Sequence, residues 1–356
     1  MRILFVYREF LNDNLFVQTL VKELKKRNHE VYCSVDDFWD SSLKYDIVNI
    51  QWPEEIFKYI IEEIDIVKLR NRIEDLKKQK TGILYTRHNT SPHFSNDNVL
   101  KLYNLVEGYA DGIIHLGKYS IDEMLAKDHN TNANNFLIPH HIYENTYNED
   151  ISKNEARIRL DLPLDKFVIL AFGRFRNNAE SLMLLKAFLS FRKKNKYLLA
   201  PRLLNFSKKR SLFKKMIYNI ITAFLRFFSI NAGNYDEIID NDLLPYYLIA
   251  SDVVFIQRKI ILNSGNLPLG FLFKKVVVGP NCGNVNEILQ ETGNPIFNPS
   301  DNSSIVKALD ESYILFSENH GNKNYIYAKE NMGIKIIVDK YEEAYLNVFE
   351  KINSCK

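Results

Sequence analysis

The chain has 356 residues, more than one ordinary core holds, and suits two domains of about 150 residues each. Apolar residues make up 46% and charged residues 26%, which fits a soluble globular protein. A net charge of +3 is too small to imply nucleic acid.

Three scattered cysteines, Cys33, Cys282 and Cys355, form no disulfide framework and no metal spacing, which suits a reducing cytosol. Met1 and Arg2 lead straight into a strand-like run, so no signal peptide is expected. The longest mostly apolar run, 216–228, is broken by Asn219, Thr222 and Arg226 and is too short to span a bilayer. No repeat at solenoid spacing is visible.

Residues 1–145 alternate strand and helix. Residues 3–7, 31–35, 47–52, 83–87, 113–116 and 136–138 are apolar runs that read as strands. Between them Phe16, Leu20 and Leu24 recur every four residues on a helix that ends in Lys25, Lys26 and Arg27. Residues 55–80 read as one helix with Ile56, Ile60, Ile73 and Leu76 apolar, and 99–110 as another. This spacing predicts a doubly wound parallel sheet.

Residues 144–164 are polar and turn-rich, so the linker is expected at 146–164, between a first domain, 1–145, and a second, 165–335. The second domain repeats the alternation, with apolar runs at 167–172, 182–191, 197–200, 243–250, 253–256 and 276–278. Asn263, Ser264 and Gly265 form a small-residue turn, residues 267–272 a short packed helix, and 281–286 a Gly/Asn turn before a helix that Glu287 opens. Each turn puts backbone N–H groups at a helix start, where a phosphate can bind. Residues 301–317 and 335–353 read as the last helices, with Ile337, Tyr341, Ala344 and Val348 on one apolar face. Phe213, Met216, Ile217, Ile220, Ile221, Phe224, Leu225 and Phe228 recur at helical spacing behind Lys208, Lys209, Arg210, Lys214 and Lys215. Within 206–228 this reads either as a core helix with a basic start or as a helix on an anionic membrane.

Several of these segments carry a resemblance. The lysine pair and three valines of 274–278 and the turn 283–287 match the GKPVV-turn-Glu pattern of GT-B glycosyltransferases close to family four. The paired Glu residues of that family are missing, since Ile261 and Leu269 stand in their places. A bacterial subgroup with a Leu-Asn-Ser-Gly opening, matched by 262–265, also lacks them, and the resemblance is to that subgroup. Residues 86–93 resemble its TxHNxxPH segment, 51–54 its HWPE, 138–143 its IPHGxY with His141 in place of Gly, and 172–176 its FGRIRPYKG. In the last, the segment 177–180 replaces the stretch that supplies a Lys.

The resemblance implies two Rossmann-like domains facing a cleft, with the C-terminal helix, about 336–356, crossing back to the first. It implies hexose transfer from a UDP- or GDP-linked sugar to a polysaccharide or lipid-linked oligosaccharide, with no cofactor, no obligatory metal and no nucleic acid partner. The protein would be cytoplasmic, at the inner face of the plasma membrane if it is peripheral. His88 would act on the acceptor or the sugar, against a reading in which it only caps a turn. Arg174 and Arg176, at i and i+2 after a strand, would fork onto the diphosphate, against a reading as surface ion-pair residues. Asn263, Ser264, Gly265, Asn284 and Glu287 would complete the donor site, although Asn284 and Glu287 also have capping-box spacing. Trp52, Asn89, His93 and His140 would face the acceptor. No GxGxxG occurs, which counts against a dinucleotide oxidoreductase. The other functional class left open is a non-catalytic nucleotide-sugar or glycan-binding subunit.

Overall fold

The apolar runs of 1–145 and those at 167–172, 197–200, 253–256 and 276–278 become strands of two six-stranded sheets, parallel throughout. Residues 182–191 and 243–250, expected to continue the second sheet, lie instead in the helices Asn178–Ser190 and Leu244–Ala250. The computed structural model describes residues 1–8, 14–89, 96–126, 132–205, 212–234 and 239–354. The chain divides into two units, Met1–His141 with Asn331–Lys356, and Ile142–Glu330.

In the first unit β1 (Arg2–Val6), β2 (Glu30–Cys33), β3 (Ile47–Ile50), β4 (Gly82–Arg87), β5 (Gly112–His115) and β6 (Asn134–Leu137) lie in the order β2-β1-β3-β4-β5-β6. Strands β3, β4 and β5 are buried along their whole length, as parallel strands covered on both faces must be. The helix Leu15–Lys26 starts where the Asn14 side chain accepts from the Phe16 N–H, and it buries Phe16, Val17, Leu20, Val21 and Leu24. The stretch expected as one helix over 55–80 is instead two short 3₁₀ turns, Pro53–Phe57 and Ile61–Glu63, followed by the helix Ile66–Lys78. Lys58 and Tyr59 take left-handed backbone angles that stop the first turn. Asp65 then caps the helix by accepting from the Lys68 N–H.

The last helix, Ile334–Ser354, packs on this sheet through Ile337, Val338, Tyr341, Ala344, Tyr345 and Val348. Glycines at the starts of β4 and β5 let it approach. A Cβ at Gly82 would lie 2.6 Å from a Val348 methyl, and one at Gly112 would lie 2.9 Å from the other. Asn49 on β3 donates to the Tyr345 hydroxyl at 2.7 Å.

In the second unit β7 (Phe167–Leu170), β8 (Lys196–Leu204), β9 (Ile230–Asn234), β10 (Val253–Phe255), β11 (Val276–Pro280) and β12 (Ile296–Phe297) lie in the order β12-β11-β10-β7-β8-β9. The core is aliphatic and aromatic, with Phe167, Ile169, Phe188, Phe191, Phe255, Val278 and Leu309 all buried. At the amino ends of the strands Asp252 is buried. It accepts from the Val168 N–H at 2.8 Å and from Arg157 at 2.9 Å. Residues 142–147 pack within this unit, where the Tyr143, Tyr147 and Phe273 rings form a chain of contacts. A helix absent from the sequence reading, His320–Met332, covers this unit with a polar face. Its buried Asn324 ties it down by donating to the Lys275 carbonyl at 2.8 Å.

Candidate functional site

In the second unit β7 leads to β8 on one side and β10 leads to β11 on the other, so the chain changes direction between β7 and β10. Open parallel sheets bind ligands outside the carboxyl ends of such a strand pair. The sequence just past β7 runs outward and inward by turns. Arg174 and Arg176 are exposed, while Phe175 between them is buried in the core. Asn177 then caps the helix Asn178–Ser190 by accepting from the Glu180 N–H.

Past β10 come two residues that the sequence reading missed. Gln257 is buried, and its amide donates to the Gly173 carbonyl at 2.5 Å, which joins the two strand ends. Its Oε1 is buried with no partner among the described residues, an orphan acceptor beside Gly173. Arg258 donates to the buried Glu180 at 2.7 Å, and Glu180 also accepts from the Arg176 N–H at 2.8 Å. Burial pushes the Arg258 guanidinium below its usual pKa, against the attraction of Glu180, and the nearby charges of Arg176 and Arg174 push it further. Three arginines therefore share one strand-end region with one buried carboxylate. The position of Gln257 and Arg258 directly after an apolar strand was the signal that would have found them.

The turn before the helix Asn266–Leu272 is held to the helix Gly283–Glu291. Asn284 donates from its side chain to Asn263 Oδ1 at 2.7 Å and from its backbone to the Leu262 carbonyl at 2.9 Å. Gly283 makes the approach possible. Its φ is +62°, and a Cβ there would sit 2.2 Å from the Ile261 carbonyl oxygen. Ser264 accepts from the Asn266 N–H, at 3.3 Å, at the start of its helix. Gly265 has an ordinary helical φ of −63°.

Glu287 does not open its helix. The helix starts at Gly283, with Cys282 as cap residue, so Asn284 and Glu287 lie inside it and the capping-box spacing is coincidental. Glu287 is half-buried in the second turn and acts electrostatically on Tyr327.

The first unit brings a second set together. Trp52, just past β3, stacks on His88, just past β4, with ring centroids 4.3 Å apart and planes 15° apart. Gln51 donates to Asn49 Oδ1 at 2.7 Å and to Thr86 at 3.1 Å, so its Oε1 is the atom that meets His88 Nε2 at 2.9 Å. Nε2 is then the donor, and the imidazole lone pair is on Nδ1. Burial pushes the His88 pKa down to about 3, which makes the ring neutral and a weak base at neutral pH. Asn89 bonds the Tyr103 hydroxyl, which donates to the buried Glu54 at 2.9 Å.

Phe16 joins His88 to the junction segment, with its ring edge-on to His88 at 5.3 Å and tilted on His140 at 4.6 Å. His141, where the subgroup pattern has Gly, is fully buried. It stacks on Phe16 and donates to the Phe16 carbonyl at 3.0 Å, so it serves packing. Burial holds the His140 pKa well below the usual value, with His141 adding to the effect. The structure therefore groups Trp52, His88, Asn89 and His140 within one unit. His93 lies outside the described residues.

No family model matches the sequence, and no curated protein matches it. Solved structures do match over nearly the whole length. Anabaena Alr3699/HepE in complex with UDP-glucose is 14% identical, with 98% of this chain and 100% of that one covered and a TM-score of 0.70. Sucrose-phosphate synthase from Thermosynechococcus elongatus is 14% identical, with 98% and 99% covered and a TM-score of 0.69. A glycosyltransferase from Rickettsia africae is 14% identical, with 100% and 99% covered and a TM-score of 0.69. The two parallel six-stranded sheets with flanking helices are the GT-B fold.

Proposed function

We propose that the chain is a glycosyltransferase that moves a hexose from a UDP- or GDP-linked sugar to a hydroxyl of a polysaccharide or lipid-linked oligosaccharide, working from the cytoplasmic side of a membrane. The observation that carries this reading is the convergence of Arg174, Arg176, Arg258, Gln257 and the Asn263–Asn284 pair past neighbouring strand ends. That Anabaena HepE was solved with UDP-glucose supports a nucleotide-sugar as the ligand.

In the proposed reaction the bond between the anomeric carbon and the diphosphate breaks, and the diphosphate leaves with the electron pair. A new bond forms to the acceptor oxygen, whose proton passes to the departing diphosphate. A departing diphosphate gains charge, and fixed guanidinium groups stabilise it without reorganising. Arg174 and Arg176 take that role without an obligatory metal, so a chelator should leave turnover intact. Arg258 supplies the third cation that the departure at 177–180 removes, and Glu180 holds it in place. Ser264, Gly265 and Glu287 line the same donor site.

Trp52, His88, Asn89, His93 and His140 belong to the acceptor side. His88, neutral and weakly basic, acts by hydrogen bonding to the reacting sugar or acceptor rather than by taking a proton. A nucleotide-sugar-binding subunit without turnover is the second reading, favoured by the missing Lys at 177–180.

A thermal-shift panel of UDP- and GDP-sugars tests the proposal, since a ligand that binds the native state raises its stability by mass action. One nucleotide family should raise the melting temperature. No shift with any nucleotide or nucleotide-sugar would overturn the reading.

A further inference from the structure

The helix Leu212–Phe227 connects β8 to β9 and touches β9, with Leu225 packed against the core of the second unit. A connecting helix of this kind normally turns its apolar stripe to the sheet. This one has a second stripe that it does not bury. Phe213, Met216, Ile220, Phe224 and Phe227 follow one another at three or four residues, so they share one face. They are 66%, 53%, 59%, 63% and 83% exposed. Phe228, just past the helix, is 40% exposed and contacts both Phe224 and Phe227, which makes an aromatic cluster at the helix end. Of the two readings left open by the sequence, burial of this stripe in the core is therefore not what the structure has.

The charge within this segment is of one sign. Residues 206–228 contain Lys208, Lys209, Arg210, Lys214, Lys215 and Arg226 and no acidic residue. Lys214, Lys215 and Arg226 are exposed on the helix. A second copy of this helix would bring like charges together, and an ordinary protein partner gives no reason for cations without a single carboxylate. Anionic lipid headgroups match the cations, and the acyl boundary below them matches the aromatic and aliphatic stripe. At roughly 24 Å the helix is too short to cross a bilayer, and no helix among the described residues is long and apolar enough to do so.

We propose that Leu212–Phe227 is an interfacial helix that docks the second unit on an anionic membrane, with its Phe213–Phe227 stripe in the headgroup layer and its cations on the phosphates. This deepens the proposed function by giving a lipid-linked acceptor its location, but its test does not depend on turnover.

The test is cosedimentation of the full chain with vesicles. Binding to phosphatidylglycerol-rich vesicles is expected, with no binding to pure phosphatidylcholine. It should fall at least tenfold between about 0.1 M and 1 M salt, over which the screening length shrinks from about 10 Å to 3 Å. Lys214→Glu with Lys215→Glu should abolish it, and so should Ile220→Ser with Phe224→Ser and Phe227→Ser. Because the substituted side chains are exposed, these variants should keep the wild-type circular dichroism, melting temperature and nucleotide-sugar shift. Vesicle binding that survives either set of changes would overturn the proposal. So would equal binding to both lipids, absence of binding at low salt, or a wild-type oligomer that the serine variant converts to monomer, which would give the stripe to self-association. Retained vesicle binding without any nucleotide-sugar shift would instead remove the proposed function and leave this helix assigned.

Discussion

Arg258 separates a structural from a functional account of the donor site. Its partner Glu180 is 3% exposed at the side chain and Arg258 is 14%, so the pair is effectively buried. Removing one member of a buried pair costs about 3–5 kcal/mol, because the other charge is left unpaired. Glu180 keeps one bond, from the Arg176 N–H, so Arg258→Met should cost about 3 kcal/mol, near the lower end. The double variant Arg258→Met/Glu180→Gln removes the stranded charge and keeps an acceptor for that N–H, and it should recover most of this loss. Urea unfolding reads the stability, and calorimetry with the nucleotide-sugar reads the site. If Arg258 bonds the diphosphate, both variants should bind donor about tenfold or more weakly, the loss of one charged hydrogen bond. A double variant that regains both stability and wild-type affinity would refute the reasoning and reduce Arg258 to a partner of Glu180.

Three further outcomes follow from the same geometry. Arg174→Ala should weaken donor binding and turnover together by about 2 kcal/mol, and unchanged donor affinity in calorimetry would remove it from the site. His88→Ala should cut turnover about tenfold, the loss of one neutral hydrogen bond, while nucleotide binding survives, whereas near wild-type turnover would leave His88 as a packing partner of Trp52. Acid should destabilise the first unit. Burial holds His88 at about 3 and His115 at about 4, while an unfolded histidine titrates near 6.5. Below that value the unfolded chain binds protons that the folded chain refuses, so stability is full above pH 6.5 and falls as pH drops, by about 2 kcal/mol per residue at pH 5. Urea midpoints at pH 7 and pH 5 measure this, and a His115→Gln variant with undiminished pH dependence would contradict it.

The sheets were legible because their strands are short apolar runs between helical periods, as at 47–50, 253–255 and 276–278. β9 was not, since its sequence Ile-Asn-Ala-Gly-Asn alternates burial at a sheet edge and offers only two large or small apolar side chains. The break at Lys58 and Tyr59 was hidden because the apolar spacing carries on past it, while the left-handed backbone there leaves no mark in composition. In the site, the alternation of Arg174, Phe175 and Arg176 could be read locally. The link from Glu180 to Arg258 joins residues 78 apart in sequence, and that from His88 to Gln51 joins residues 37 apart. Only the parallel register brings those ends together. For Leu212–Phe227 the periodicity was plain, but a helical period does not say whether its apolar face is covered.

The most direct test of sugar transfer is release of nucleoside diphosphate from the donor that gives the largest thermal shift, followed for hours with and without a membrane extract as acceptor source. The account predicts slow release to water, faster release with acceptor, and loss of both in Arg174→Ala. Tight donor binding with no release above that variant under either condition would contradict it and leave a binding subunit.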